Sequence, residues 1–237
     1  RPAARDAMIR PLLAALVAAA LLALAPAPAA AADGPGLSAP GNYDYLVFVL
    51  SWSPSYCESL GEAAATTDPQ QCGRFGKSRA FIVHGLWPQY ERGWPEYCLT
   101  PAPKLDKRLV ERMLDIMPSR RLIAHEWAKH GTCSGLDAEG YFELVRQVRT
   151  LIRIPPDLQE MYTKATVSPA VVERMFREVN SGLQADEIAV TCSRRRLREV
   201  RICLDRDLDF RPCPEIERRQ CKADWIVMPP ARPSTWP

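Results

Sequence analysis

Leu122-Ile-Ala-His-Glu-Trp-Ala-Lys-His-Gly-Thr-Cys133 carries two of the three histidines in a chain of 237 residues. Read as a helix at about 100° per residue, it places His125 at about 0°, Lys129 at about 40°, Glu126 at about 100° and His130 at about 140°. Four ionisable groups then share one face, while Trp127 and Ala128, at about 200° and 300°, form an apolar back to bury. A segment divided in this way fits the wall of a cleft, with its back docked on another layer of structure.

The third histidine, His84, lies upstream in Phe81-Ile-Val-His-Gly-Leu-Trp-Pro88. Ser78 to His84 reads as a strand broken by Gly85 and Pro88, so His84 is expected at a strand end. Tyr43 to Ser53 alternates, is rich in β-formers and reads as a buried strand ending at Pro54, with Cys57 to Cys72 a loop after it. Tyr90 to Pro103 is turn-rich and aromatic. Leu105 to Met117 has helical spacing and stops at Pro118, after which Ser119 can cap the helix of the opening stretch.

Downstream, Asp137 can cap a helix over Ala138 to Ile152 with Phe142, Val145, Val148 and Ile152 inward. Ser168 and Pro169 start another, ending near Asn180-Ser-Gly182. Ile188 to Cys192 and Leu197 to Leu204 read as a hairpin, the second strand turning Val200, Ile202 and Leu204 toward the core. Helices grouped between strands, without regular βαβ alternation, predict an α+β fold: an antiparallel sheet with helices packed on it.

At the amino end, Arg1 to Asp6 precede Met8, an apolar run spans Pro11 to Leu24, and Ala30-Ala-Ala32 stands before Asp33. Residues 1–32 read as a segment containing a secretory signal peptide, with Met8 able to serve as the start of translation. The apolar run is shorter than the ~20 residues of a membrane span and breaks at Pro26 and Pro28, so no membrane span is expected. Residues 33–237 are then expected to form a single domain without repeats. Removing three arginines and one aspartate leaves 28 basic and 27 acidic residues, so a site for a polyanion must be local. Eight cysteines behind an export signal imply an oxidising compartment, periplasmic or extracellular, and up to four disulfides.

His125-Glu126 followed by His130 invites comparison with zinc proteases, but their His-Glu-x-x-His spacing is i, i+4 and here it is i, i+5. The two imidazoles diverge, and no metal or other cofactor is expected. Two histidines from separate elements beside a lysine and a carboxylate suit acid/base catalysis on an anion, because one imidazole can be neutral to take a proton while another is charged to deliver one. Cleavage of RNA by its own 2′-hydroxyl needs such a set, together with cations for the crowded phosphorane.

Phe81-Ile-Val-His-Gly-Leu-Trp-Pro-Gln and His125-Glu-Trp-Ala-Lys-His-Gly-Thr-Cys resemble the two active-site segments of the ribonuclease T2 family, and Tyr43 to Cys57 resembles its first core strand and following loop. The resemblance implies a metal-independent endoribonuclease that acts on single-stranded RNA, yields a 2′,3′-cyclic phosphate and then a 3′-phosphate, and leaves DNA uncut. It implies His130 as base for the 2′-hydroxyl and His84 as acid for the leaving oxygen, with exchanged labels left open. Glu126 and Lys129 would support the pentacoordinate phosphate and His125 would hold it. Trp87 would stack on a base or serve the core. Gln89 stands where many relatives carry an acidic residue, so base preference does not transfer, and Tyr90 and Trp94 are further candidate stacking surfaces. Arg194-Arg195-Arg196 could meet distal phosphates or form an ordinary solvated turn. The disulfide pairs implied are Cys57–Cys72, Cys98–Cys133, Cys192–Cys221 and Cys203–Cys213. A monomer is expected. A zinc hydrolase and a non-catalytic, disulfide-rich recognition protein on the same scaffold are the other readings. A pure binder has no need of the whole acid/base set.

Overall fold

The strand β1, Tyr45–Trp52, is apolar along most of its length because it is buried on both faces. In the computed structural model, which describes residues 39–73 and 80–231, it lies between two antiparallel neighbours, β2 (Phe81–Gln89) and β5 (Arg196–Leu204). With β3 (Ala165–Val167), β4 (Ile188–Ser193) and β6 (Ile226–Met228) they make a six-stranded sheet ordered β2-β1-β5-β6-β3, with β4 paired to β5. Helices α1 (Ser53–Leu60), α2 (Lys107–Met113), α3 (Arg120–Lys129), α4 (Ala138–Leu151) and α5 (Pro169–Val179) complete the α+β architecture. The signal-peptide segment and the expected strand start at Ser78 lie outside the described residues.

Alternation along β1 divides the sheet into two faces. Leu46, Phe48, Leu50 and Trp52 enter the main core with Val200, Ile202 and Leu204 of β5 and Phe142, Val145 and Val148 of α4. Tyr45, Val47 and Val49 enter a smaller cluster with Ala189, Cys203 and Ile216, against which Trp87 packs. Burying each large apolar side chain contributes roughly 1.5–3 kcal/mol, so the larger cluster dominates stability and the smaller face is available to carry polar groups.

His84 does not end its strand. β2 runs through Gly85 and Pro88, which is tolerated because β2 is an edge strand and needs partners on one side only. Val49 pairs with Gly85 and Leu50 with Val83, so His84 is the extra residue of a β-bulge, a distortion that turns a side chain out of the regular pleat. The stretch from Cys57 to Cys72, expected as a loop, is largely helical. Pro54 opens α1, where a missing N–H costs nothing, and short helical turns at Ala64–Thr67 and Pro69–Cys72 follow. α2 is shorter than the expected helix, starting where the Asp106 carboxylate accepts from the N–H groups of Arg108 and Leu109.

The four disulfides are Cys57–Cys72, Cys98–Cys133, Cys192–Cys221 and Cys203–Cys213, the pairs that the resemblance implies. Cys98–Cys133 ties the chain after β2 to the turn after α3. The same junction carries a hydrogen bond from the Tyr97 N–H to the Lys129 carbonyl, 2.9 Å.

Candidate active site

Ser119 caps α3 by accepting from the Leu122 N–H, and Ile123 and Trp127 bury its back, so Glu126 faces the edge of the sheet. The helix ends at Lys129, just short of His130, which the helical reading includes. His130 is its C-cap, with φ −115° and ψ −44°, which carries the imidazole inward to 5% exposure. Gly85 admits Glu126: a Cβ there would meet Glu126 Oε2 at 1.9 Å and Trp87 Nε1 at 2.6 Å. The carboxylate thus lies against the backbone of β2, and its Oε2 accepts from Trp87 Nε1 at 2.7 Å.

Each ring nitrogen of His84 faces a buried carboxylate. Nε2 is 3.4 Å from Glu126 Oε1, and Nδ1 is 3.1 Å from Glu199 Oε1. Glu199 belongs to β5 and is 1% exposed; its Oε2 accepts from Arg201 Nε (3.0 Å) and Nη2 (2.7 Å) and from Thr191 Oγ1 (3.4 Å). Residues 199 and 201 point the same way from the strand, onto the face that also presents Val49 and Trp87.

The environments separate the two histidines. Burial disfavours a charge on His84, but the hydrogen bond to Glu199 and the negative fields of Glu126 and Glu199 outweigh it and raise its pKa. Burial acts the same way on His130 without any carboxylate to offset it, and with Lys129, His84 and His125 nearby its pKa falls to about 2. Glu126 is pushed up to about 7 by burial, against the pull of His84 and the Trp87 hydrogen bond. Glu199 is also buried, yet His84 and Arg201 hold it down at about 2. One imidazole is therefore positioned to carry a proton and the other to remain neutral. Among the described residues Nδ1 of His130 has no hydrogen-bond partner, whereas both ring nitrogens of His84 face carboxylates.

Trp87 joins the two. Its ring stacks on His130 at 4.9 Å with an interplanar angle of 20°, meets His84 edge-on at 5.3 Å, and has the Arg201 guanidinium 5.2 Å from its centroid. Trp87 thus packs against His130, has its N–H held by Glu126, and still lines the cleft described next.

A cleft of ≈ 290 Å³ gathers His84, Glu126, Lys129 and His130 with His125, Gln89 and Trp94 on its walls. Arg198, Arg201 and Arg219 bring further positive charge. His125 is largely exposed, and its partial burial, with Lys129 and His84 nearby, lowers its pKa. Lys129 pairs with Glu96 at 3.5 Å. Gln89 is buried, and its amide N–H donates to the carbonyl of Pro88 at 2.8 Å. Tyr90 does not line this cleft. Trp94 does, with Arg219 over its ring at 4.6 Å. Among the described residues no group of His, Cys, Asp and Glu is arranged to hold a metal ion, and no helix is long and apolar enough to cross a membrane.

Sequence reasoning does not single out Glu199 and Arg201. The available signal is their spacing: two charges at i and i+2 on a strand share a face, opposite Val200 and Ile202.

The ribonuclease T2 family model matches residues 43–213. The chain is 34% identical over 169 residues to a ribonuclease of Aeromonas hydrophila, covering 70% of this chain and 74% of that one. To ribonuclease DdI of Dictyostelium discoideum it is 27% identical over 203 residues, 78% of this chain and 84% of the relative. Among solved structures, RNase NT in complex with 5′-AMP superposes with a TM-score of 0.56 at 25% identity, covering 80% of this chain and 99% of that one. The RNase-related protein from Calystegia sepium shares the fold, with a TM-score of 0.60 at 22% identity over 79% of this chain and 97% of its own.

Proposed function

The chain belongs to the ribonuclease T2 family and is an endoribonuclease, and on that premise we propose that it is exported and cleaves single-stranded RNA without a metal, by attack of the 2′-hydroxyl on the adjacent phosphate. The observation that carries this reading is the contrast between the two histidines. Two buried carboxylates favour the charged form of His84, while burial, without an offsetting carboxylate among the described residues, favours the neutral form of His130.

In the first step His130 takes the 2′-hydroxyl proton and His84 gives one to the leaving 5′-oxygen, forming the 2′,3′-cyclic phosphate. Lys129, with Arg201 behind His84, offsets the charge that builds on the phosphorane, and Glu126 is placed to follow the proton carried by His84. The exposed His125 grips the phosphate in ground and transition states alike. In the second, slower step water replaces the ribose hydroxyl, the two histidines exchange roles, and a 3′-phosphate results. Trp87 fixes the positions of both imidazoles, and Gln89 and Trp94 border the place of the upstream base.

A 2′-hydroxyl nucleophile makes the reaction specific for RNA, so DNA is not cut. Four disulfides favour an oxidising compartment, periplasmic or extracellular. Residues 33–237 act as one domain and as a monomer. The test is digestion of single-stranded RNA by the purified protein in EDTA, with products resolved over time. Cyclic phosphate ends that precede 3′-phosphate ends are expected; loss of activity in chelator, or comparable cleavage of single-stranded DNA, overturns the reading.

A further inference from the structure

Three hollows meet at His84. One is the cleft that also holds His130 and Trp87. The other two, of ≈ 300 Å³ and ≈ 770 Å³, share Ser51, Tyr56 and His84 with each other and are lined by neither His130 nor Trp87. If His84 protonates the leaving 5′-oxygen, the departing nucleoside and everything 3′ to it lie on the side of His84 away from His130.

The larger hollow is a groove between α1 and the β4–β5 hairpin, with Arg194, Arg196 and Arg198 along one wall and Ser55 and Ser59 along the other. Ser55 is 8% exposed and its hydroxyl has no partner among the described residues. The carboxylates of the lining are already engaged, Glu199 by His84 and Arg201, and Glu58 by Arg196 at 2.8 Å. The Glu58–Arg196 pair is half-exposed on both sides and so weak enough to exchange for a phosphate. Arg194 and Arg195 fill the two turn positions at φ 48° and 59°, where Asn or Gly is sterically easier. Arg195 lies over Trp225 at 4.5 Å, outside the groove lining, whereas Arg194 and Arg196 belong to it.

We propose that this groove is a phosphate subsite for the RNA strand downstream of the scissile bond, in which Arg194 and Arg196 contact the next phosphodiester on the 3′ side. The inference rests on His84 being the acid. The groove adjoins the acid and is lined by neither His130 nor Trp87, which puts it with the leaving group, and guanidinium groups beside hydroxyls suit a phosphodiester backbone rather than a base.

The test compares a dinucleoside monophosphate with the same substrate extended by one nucleotide at its 3′ or its 5′ end, for the parent and for Arg194→Asn/Arg196→Gln. In the parent the 3′ extension raises kcat/KM about tenfold, the scale of one hydrogen bond to a charged group, and the 5′ extension does not. The double variant loses that gain and cleaves the dinucleoside monophosphate at the parental rate. Its salt dependence on the 3′-extended substrate becomes shallower by about 0.7 for each phosphate that the arginines no longer neutralise. Retention of the gain by the variant overturns the subsite; a gain that belongs to the 5′ extension and is lost in the variant overturns the direction. Binding of uncleavable 2′-deoxy oligonucleotides, followed by fluorescence anisotropy, tests the groove without turnover. A parent that binds the 3′-extended form more tightly than the variant does, yet cuts no RNA, retains the groove and overturns the catalytic reading instead.

Discussion

His84 Nδ1 lies 3.1 Å from Glu199 Oε1, across 115 residues of sequence, and that carboxylate is itself held by Arg201 and Thr191. With Nδ1 engaged, the N–H of His84 at Nε2 is directed toward Glu126 and the cleft. A surface imidazole turns freely and loses its proton near neutrality. Here the strand fixes the ring, and its carboxylates favour the charged form.

Glu199→Gln keeps an acceptor near Nδ1 and removes the charge. Because His84 has a raised pKa and, as the proposed acid, must be protonated to act, the alkaline limb of kcat/KM against pH moves to lower pH in the variant. An NMR titration of His84 moves in the same direction. The loss at the optimum is roughly tenfold to a hundredfold, less than removal of the acid itself. A purely structural role for Glu199 predicts lower stability with an unshifted pH profile.

Gly85→Ala places a methyl group against the Glu126 carboxylate and the Trp87 N–H. Overpacking of this kind costs about 1–3 kcal/mol of stability. The displaced groups also orient both histidines, so kcat falls more than tenfold in a variant that still unfolds cooperatively. Thermal denaturation and kinetics on the same sample separate the two effects, and parental kcat in a folded Gly85→Ala protein contradicts the proposed close fit.

His130 carries a pH signature in stability. Its folded pKa, about 2, lies below the ordinary 6.5, so the unfolded chain binds more protons between those values and stability falls as pH drops below about 6.5. Glu126 acts in the opposite sense: its folded pKa is about 7, above the ordinary 4.5, which favours the folded state as pH falls from 7 toward 4.5. The parent alone therefore shows little net effect from the pair. His130→Asn removes only the first contribution, so between pH 7 and pH 4 it retains on the order of 3 kcal/mol more of its stability than the parent retains. Urea denaturation at the two pH values measures it; equal losses in the two proteins contradict a neutral, buried His130.

The histidine motifs are legible in the sequence because rare residues at close spacing stand out, and the strands and longer helices because their periodicity is strong. Glu199 is not, because the run from Arg194 to Arg201 is dominated by charge and reads as a solvated strand. Only burial between β1 and β4 makes it part of the site. His84 reads as a strand end because Gly85 and Pro88 ordinarily punctuate; the edge position of β2 and the bulge that removes the conflict are properties of the sheet. Pro54 misleads for a similar reason, since proline ends a strand and starts a helix equally well. That His130 and Glu126 converge on Trp87 is likewise announced by no local signal.

A leaving group that needs no proton tests the division of labour between the histidines most directly. His84→Ala and His130→Ala are each assayed on a dinucleoside phosphate and on a nucleoside 3′-(4-nitrophenyl phosphate), whose phenolate departs unaided. Both variants are expected to lose about 10²- to 10⁴-fold on the dinucleoside phosphate. On the nitrophenyl ester His84→Ala is expected to recover close to parental kcat while His130→Ala stays impaired; recovery by His130→Ala in place of His84→Ala would show that the acid and the base are the other way round.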